Sequence, residues 1–209
     1  FASVLPGYPP VIQSSLEEMV HLGVIKNTQT GISLAENFRD EGVIQVKSES
    51  PYRLTGGNYF NSSTEFVGRH SELNLLKRMV LNERLVSITG MGGVGKSRLA
   101  YQVALESQEE FLNGSLFVPL LGVTDSVSAV YILADALGFK LVGKLPEREQ
   151  LVNFLFHKEI LILLDGVDQL REEMDLISYI LENTLAVRFL VTARDRLNLR
   201  HESVFKLSG

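Results

Sequence analysis

A glycine-rich stretch is the part of this 209-residue chain best suited to chemistry. Residues 90–97 read G-M-G-G-V-G-K-S and fit the pattern G-x-x-x-x-G-K-[ST]. The glycines leave backbone N–H groups open to an approaching anion, and a helix starting near Lys96 adds unbonded N–H groups and the positive end of its dipole. The Lys96 ammonium can reach terminal phosphates, and the Ser97 hydroxyl can ligate Mg²⁺. The pattern predicts a phosphate-binding loop, called the glycine loop below.

The flanking residues favour this interpretation, because such a loop must follow a strand and open a helix. Leu85–Thr89 is a short apolar run, and residues 96–108 carry apolar side chains at helical spacing. The residues expected to contact the phosphates are Gly90, Gly92, Gly93, Val94, Gly95, Lys96, Ser97 and Arg98.

Two charged side chains follow other apolar runs with the character of buried strands. Asp165 ends the run Ile160–Asp165, and Arg194 follows the run 188–192 after one alanine. Ligands of parallel sheets bind beyond the carboxyl ends of the strands, so both side chains should face the glycine loop. Asp165 can hold Mg²⁺ through its water shell, and Arg194 can contact a γ-phosphate. The alternatives are an ordinary Asp-Gly turn and a solvated surface charge.

Strand-like runs alternate with helical patterns from residue 65 onward. Strands are predicted at Leu85–Thr89, 115–120, Ile160–Asp165, 188–192 and 203–207, and helices at about 70–81, 96–108, 126–137, 147–157 and 170–183. This alternation predicts an α/β fold with a parallel sheet covered by helices on both faces. We expect a small N-terminal domain over residues 1–56, a polar linker over 57–64 and a nucleotide-binding domain over 65–209.

The composition excludes several classes of protein. The net charge of −5 provides no overall basic surface for nucleic acid, and the absence of cysteine excludes a disulfide framework and cysteine-ligated zinc. No apolar stretch approaches the roughly 18 residues typical of a membrane span. We therefore expect a cytoplasmic protein without a membrane partner. The chain begins with Phe1, and we expect it to be a fragment of a longer protein.

Four motifs together resemble those of one family. They are F-V-G-R at 66–69, G-M-G-G-V-G-K-S-R-L-A at 90–100, L-I-L-L-D at 161–165 and T-A-R at 192–194. Their order and wording are similar to those of STAND-class ATPases, the group that includes the NB-ARC proteins, and are nearest to its bacterial regulators. The resemblance covers residues 65–209 and implies a P-loop NTPase core that binds ATP or ADP with Mg²⁺.

The resemblance also implies a role for individual residues. The glycine loop would be the Walker A loop, Asp165 the Walker B acid and Arg194 the sensor, with Val67 and Arg69 beside the adenine and ribose. Family members act as regulatory switches that hydrolyse ATP slowly, and helical domains that close over the nucleotide follow the sensor. We expect this chain to end before those domains.

Two departures from the family pattern concern hydrolysis. Many relatives carry a second acid directly after the Walker B aspartate, and this position is Gly166 here. Asp168 is the nearest acid and is the candidate for orienting the attacking water. Ala193 stands where Ser or Thr is usual, which removes one hydroxyl. We expect a weak ATPase at most.

The N-terminal residues resemble a winged-helix module of transcription regulators. We expect helices at 15–24 and 31–41 and wing strands at 44–47 and 52–55. Acidic residues outnumber basic ones in residues 1–56, and Lys26, Lys47 and Arg53 are the only candidate phosphate contacts outside the second helix. Binding of DNA and packing against protein both stay open for this segment.

Several functions compete with the leading interpretation, an adenine-nucleotide switch that acts through protein partners or self-association. A metabolic phosphotransferase would need additional substrate-binding residues, which the motifs do not provide. A GTPase would carry the guanine-reading string N-K-x-D, which is absent. A DNA-binding regulator controlled by the ATPase domain is compatible with the switch.

Overall fold

The structure is a computed structural model that describes residues 25–28, 31–34, 52–54, 66–173 and 175–209, with the backbone alone described for 25–28, 31–34 and 171–173. The chain divides into two compact units, Phe1–Glu49 and Ser50–Gly209. The predicted linker at 57–64 lies beyond this division, and residues 52–54 belong to the second unit.

The described part of the first unit is a two-stranded antiparallel ribbon. Strand β1 is Ile25–Thr28 and strand β2 is Gly31–Leu34, with Thr28 paired to Gly31. The prediction of a helix over 31–41 is therefore wrong for its first four residues. β-Branched residues on both sides of a two-residue connection favour a hairpin, and glycine is a poor helix residue. The predicted helix at 15–24 and wing strand at 44–47 lie outside the described residues.

The second unit alternates strands and helices along the chain. Its strands are β3 Leu85–Thr89, β4 Ser115–Pro119, β5 Ile160–Asp165, β6 Val187–Ala193 and β7 Glu202–Lys206. Its α-helices are α1 His70–Asn82, α2 Lys96–Ser107, α3 Ser126–Ala136, α4 Glu147–Leu155 and α5 Asp175–Asn183. Two 3-10 segments, Gln108–Glu110 and Val167–Glu173, follow α2 and β5.

The five strands form one parallel sheet in the order β4-β5-β6-β3-β7. Strand β6 lies between β3, which leads into the glycine loop, and β5, which ends in Asp165. Register aligns Asp165 with Thr192, and it aligns Thr89 with Ala193 and Lys206. The carboxyl ends of four strands therefore meet at one edge of the sheet, where ligands of such sheets bind.

Apolar cores lie on both faces of the sheet, so the predicted α/β fold is confirmed. Strand β5 divides its side chains between them: Ile160, Ile162 and Leu164 pack with α3, α4 and α5, and Leu161 and Leu163 pack with α1 and α2. All five side chains are buried, which accounts for the continuous apolar run in the sequence.

Residues 52–54 extend the sheet at its β4 edge. The Tyr52 backbone bonds to Asn113 and Ser115, forming a parallel bridge opposite Gly114. The Tyr52 hydroxyl donates to the Leu137 carbonyl at 2.7 Å. These residues, predicted as part of a wing strand, thus cover part of an edge whose unpaired backbone groups would otherwise face solvent. No helix in the described part of the chain has the length and apolar character that crossing a bilayer requires.

Candidate functional site

The glycine loop joins strand β3 to helix α2, as the pattern predicts. Gly95 caps the helix with φ 96°, a left-handed conformation that glycine adopts without strain. A Cβ atom built on Gly92, Gly93 or Gly95 would meet no heavy atom within 4 Å. The backbone is therefore open to a ligand at these three positions.

The Lys96 ammonium folds back onto the loop. Its Nζ donates to the carbonyl oxygens of Gly90 at 2.8 Å and Met91 at 2.9 Å. Ser97 and Arg98 follow in the first turn of α2, half-buried. The ammonium is thus held at the loop by two neutral carbonyl groups, and an anion would be a stronger partner for it.

The first residue of the glycine loop is clamped by two strand ends. The Gly90 amide donates to the Arg194 carbonyl at 3.2 Å, and the Leu207 amide donates to the Thr89 carbonyl at 2.7 Å. A Cβ atom on Gly90, whose φ is 151°, would lie 2.4 Å from the Leu207 carbonyl oxygen. Glycine is required here because backbone approaches backbone too closely for a side chain.

Asp165 is held by the neighbouring strand. The Thr192 hydroxyl donates to Asp165 Oδ1 at 2.5 Å and accepts from the Gly166 amide at 2.9 Å. Thr192 is almost fully buried, and its register position opposite Asp165 brings the two side chains together. The other carboxylate oxygen, Oδ2, makes no hydrogen bond with the described residues.

Asp168 lies against Arg194. Its Oδ1 accepts from the Arg194 amide at 2.6 Å, and its Oδ2 is 4.0 Å from Arg194 Nε. The Arg194 side chain is 75% exposed, so this ion pair contributes little by itself. The stronger contact is the charge-assisted bond to the amide, which fixes the backbone at the end of β6.

Arg69 reaches the glycine loop from the segment before α1. Its Nη2 donates to the Val94 carbonyl at 3.1 Å, and its Nη1 is buried without a hydrogen-bond partner. Its φ of 56° is unusual for a residue other than glycine. Strain together with an unsatisfied buried donor is a frequent mark of ligand contact. The neighbouring Val67 side chain is 82% exposed and available for contact.

A cleft of about 1030 Å³ opens beside the glycine loop. Residues 90–94, 194–195 and 206–209 line it. Ligand pockets generally measure roughly 300–1,000 Å³, so this volume admits a nucleotide. Lys206, at the end of β7, adds a third cation to those of Lys96 and Arg194 at this edge.

The residues present fit a polyphosphate with Mg²⁺. The open glycine cradle and the unsatisfied Arg69 donor suit an anion, whereas no cluster of three or more His, Cys, Asp or Glu side chains occurs among the described residues. A magnesium ion would therefore depend on phosphate oxygens, with Ser97 and Asp165 as its candidate protein contacts. The fold brings the glycine loop and Asp165 to the same edge of the sheet.

Two residues at this edge were not singled out from the sequence. Thr192 is predicted only as part of the T-A-R motif, and it lies near the end of β6, two residues before Arg194, which follows that strand. Lys206 lacked any signal of its own, because only the pairing of β7 with β3 places it beside the loop.

Proteins of known sequence and structure resemble this chain. An uncharacterized protein of Mycobacterium tuberculosis is 31% identical over 145 residues, which cover 69% of this chain and 37% of that protein. A second protein of that species, named as an HTH-type transcriptional regulator, is 28% identical over 133 residues, covering 63% of this chain and 15% of the other. The chain thus matches well under half the length of these relatives.

A solved structure and a family profile also match. The structure is a Signal Transduction ATPase with Numerous Domains (STAND) protein with a tetratricopeptide repeat sensor from Pyrococcus horikoshii. It is 18% identical, with a TM-score of 0.49, over 78% of this chain and 24% of that chain. The NB-ARC domain profile matches residues 72–199, which include the glycine loop, Asp165 and Arg194 and amount to more than half of the chain. The chain belongs to the NB-ARC family.

Proposed function

We propose that this chain binds ATP and ADP with Mg²⁺ and works as a regulatory switch whose state depends on the nucleotide held. The glycine loop is the observation that supports this proposal most strongly. Its backbone is open at Gly92, Gly93 and Gly95, and the Gly90 amide donates a hydrogen bond to the Arg194 carbonyl. A bound polyphosphate and the proposed sensor residue would therefore share one rigid connection.

The placement of the side chains supports the proposed roles. The loop amides and Lys96 would hold the phosphates, and the unpaired Nη1 of Arg69 would gain an acceptor from the nucleoside side. Ser97 and Asp165 would hold Mg²⁺, which supplies charge neutralisation of the phosphates when bound. Arg194, exposed at the cleft, would contact the γ-phosphate and distinguish ATP from ADP.

Hydrolysis is proposed to be slow. Gly166 offers no carboxylate, and Asp168 is engaged with the Arg194 amide. An acid committed to a backbone donor is poorly placed to accept a proton from water, because general-base catalysis needs the carboxylate within hydrogen-bonding distance of that water. A slow reaction suits a switch, since the ATP state must last long enough to act.

The test is calorimetric titration of the purified chain with ATP, ADP and GTP in the presence of Mg²⁺. We expect saturable one-to-one binding of both adenine nucleotides and little binding of GTP. Lys96→Ala should weaken binding at least about tenfold, because hydrogen bonds to charged groups contribute roughly 1.5–3 kcal/mol. Lys144→Ala, an exposed lysine in the loop after α3, is the matched control and should bind as the parent chain does.

Two results of this titration would contradict the proposal. Binding that is indifferent to Lys96 would place the nucleotide elsewhere, and absence of heat with every adenine nucleotide would remove the switch. Thermal unfolding of Lys96→Ala must match the parent chain for the comparison to hold, since its ammonium also bonds two loop carbonyls.

A DNA-binding regulator is the second candidate. The relative named as an HTH-type transcriptional regulator favours it. Arg53, one of the candidate phosphate contacts, instead forms an ion pair with Glu109 in the second unit. Salt-dependent DNA binding by the whole chain, lost on removal of residues 1–49, would support this candidate. We also propose that the switch acts through protein partners or self-association, in the cytoplasm.

A further inference from the structure

We propose that Thr192 is a positioning residue for magnesium, which orients the Asp165 carboxylate so that a single oxygen serves the ion. The inference rests on the proposed function, in that Asp165 is taken to face a nucleotide-bound Mg²⁺. The family resemblance assigns the magnesium role to Asp165. The hydrogen bond from the Thr192 hydroxyl to Asp165 is a finding of this structure.

The Thr192 hydroxyl has one proton, and the geometry directs that proton to a single acceptor. The Gly166 amide donates to the hydroxyl oxygen at 2.9 Å, so the hydroxyl proton is directed to Asp165 Oδ1 at 2.5 Å. A hydroxyl-to-carboxylate bond of this length is a charge-assisted one. Thr192 thus fixes the carboxylate and the amide that follows it at the same time.

The position of the hydroxyl is itself constrained. Threonine is branched at Cβ, which restricts its χ1 rotation, and this side chain is 2% exposed. The β5–β6 ladder aligns Asp165 with Thr192, so backbone pairing sets the separation of the two side chains. Neither side chain can move without breaking this partly buried hydrogen bond.

The arrangement divides the two carboxylate oxygens between different tasks. Oδ1 accepts from Thr192, and Oδ2 has no partner among the described residues. A carboxylate fixed by one oxygen presents the other in a defined direction, as outer partners of metal ligands generally do. Mg²⁺ demands near-ideal octahedral geometry, so its water shell is sensitive to that direction.

The experiment measures the magnesium increment, defined as the ratio of the ADP dissociation constants in EDTA and in excess Mg²⁺. Thr192→Val keeps the shape of the side chain and removes the hydroxyl. We expect its increment to fall about 10- to 100-fold below that of the parent chain, the usual cost of losing an outer partner of a metal ligand. Thr192→Ser restores the hydroxyl and should recover most of the increment.

Thr184→Val is the matched control. Thr184 is also a buried threonine, and its hydroxyl donates to the Ile180 carbonyl and accepts from Arg84. Thr184 precedes β6 and therefore lies near the amino ends of the strands, whereas Asp165 lies at their carboxyl ends. We expect Thr184→Val to lose thermal stability while its magnesium increment equals that of the parent chain.

Other outcomes identify which claim fails. A full increment in Thr192→Val, or a loss that Thr192→Ser does not reverse, overturns the role of Thr192 while nucleotide binding stands. A parent chain that binds ADP with no response to Mg²⁺ overturns the metal role of Asp165 and this inference with it. A parent chain that binds no nucleotide overturns the proposed function. If Thr192→Val does not fold, Thr192→Cys supplies a weaker donor, and a full increment there also overturns the role.

Discussion

The backbone amide of Gly90 donates a hydrogen bond to the carbonyl oxygen of Arg194 across 3.2 Å. The amide of Arg194 in turn donates to Asp168. One peptide segment at the end of β6 therefore contacts both the glycine loop and the segment after β5. We expect a displacement of the Arg194 main chain to be transmitted to the start of the loop, which would give the proposed nucleotide switch a physical basis.

Gly90→Ala and Gly92→Ala should separate folding from binding. An alanine Cβ at position 90 would lie 2.4 Å from the Leu207 carbonyl, whereas one at position 92 meets nothing within 4 Å. We expect Gly90→Ala to lower the free energy of unfolding by roughly 1–3 kcal/mol. Gly92→Ala should unfold as the parent chain does and still bind ADP more weakly, because its Cβ occupies the open cradle. Denaturant titration and calorimetry measure the two quantities.

Equal stability of the two alanine variants would contradict the clamp at the start of the loop. Parent-like ADP affinity in Gly92→Ala would show that the phosphates do not approach this part of the backbone.

Asp168→Asn and Asp168→Ala test how Asp168 acts. Asparagine keeps an oxygen that can accept from the Arg194 amide, and alanine does not. If Asp168 positions Arg194, the asparagine variant should retain most of the preference for ATP over ADP, and the alanine variant should lose it. Calorimetry with both nucleotides measures this preference. If the parent chain releases phosphate and both variants have lost this activity equally, Asp168 is instead the general base.

Gly166→Glu tests whether a second acid can be supplied directly after Asp165. Gly166 has φ +80°, and a Cβ there would lie 3.4 Å from the Leu121 Cβ. A left-handed conformation costs other residues roughly 1–2 kcal/mol. We expect Gly166→Glu and its control Gly166→Ala to be destabilised alike. We expect no gain in phosphate release, because a strained backbone does not hold the new carboxylate in a defined position. Faster release by Gly166→Glu with parent-like stability would show that only the missing acid limits hydrolysis.

Gly114→Ala should release residues 52–54 from the sheet edge. A Cβ at position 114 would lie 1.9 Å from the Tyr52 carbonyl oxygen, which also accepts from the Ser115 amide. Gly138→Ala is the matched control, because Gly138 has a similar positive φ and open space around it. We expect faster hydrogen exchange of the Ser115 amide in Gly114→Ala alone. Unchanged exchange at Ser115 would mean that the edge pairing does not persist in solution.

The sequence predicted the elements of the sheet better than their arrangement. Strands β3 to β6 are local apolar runs, and the predicted bounds of all five strands differ from the observed ones by at most one residue. Strand order is a long-range property that no local period encodes. The placement of β6 between β3 and β5, and the bond between Thr192 and Asp165 that depends on it, could therefore not be predicted.

Local patterns also misled at the N-terminal end. Residues 31–34 were predicted to begin a helix, and they form a strand, because the pairing of β1 with β2 outweighs the weak helical spacing of a segment that starts with glycine. Tyr52 was expected in a wing, and its partner is Gly114, which is 62 residues away along the chain. The phosphate-binding motif could be predicted from the sequence, because Gly95, Lys96 and Ser97 are consecutive residues at the start of one helix.

The most direct measurement of the central claim is the backbone amide spectrum of the ¹⁵N-labelled chain as Mg²⁺ and ADP are added. We expect saturable shifts at the amides of Gly92, Gly93, Gly95 and Lys96, with Gly138 and Gly143 unchanged. Glycine-loop amides that do not shift at nucleotide concentrations that saturate binding, or a spectrum that shows no binding, would contradict the claim that this loop holds the phosphates.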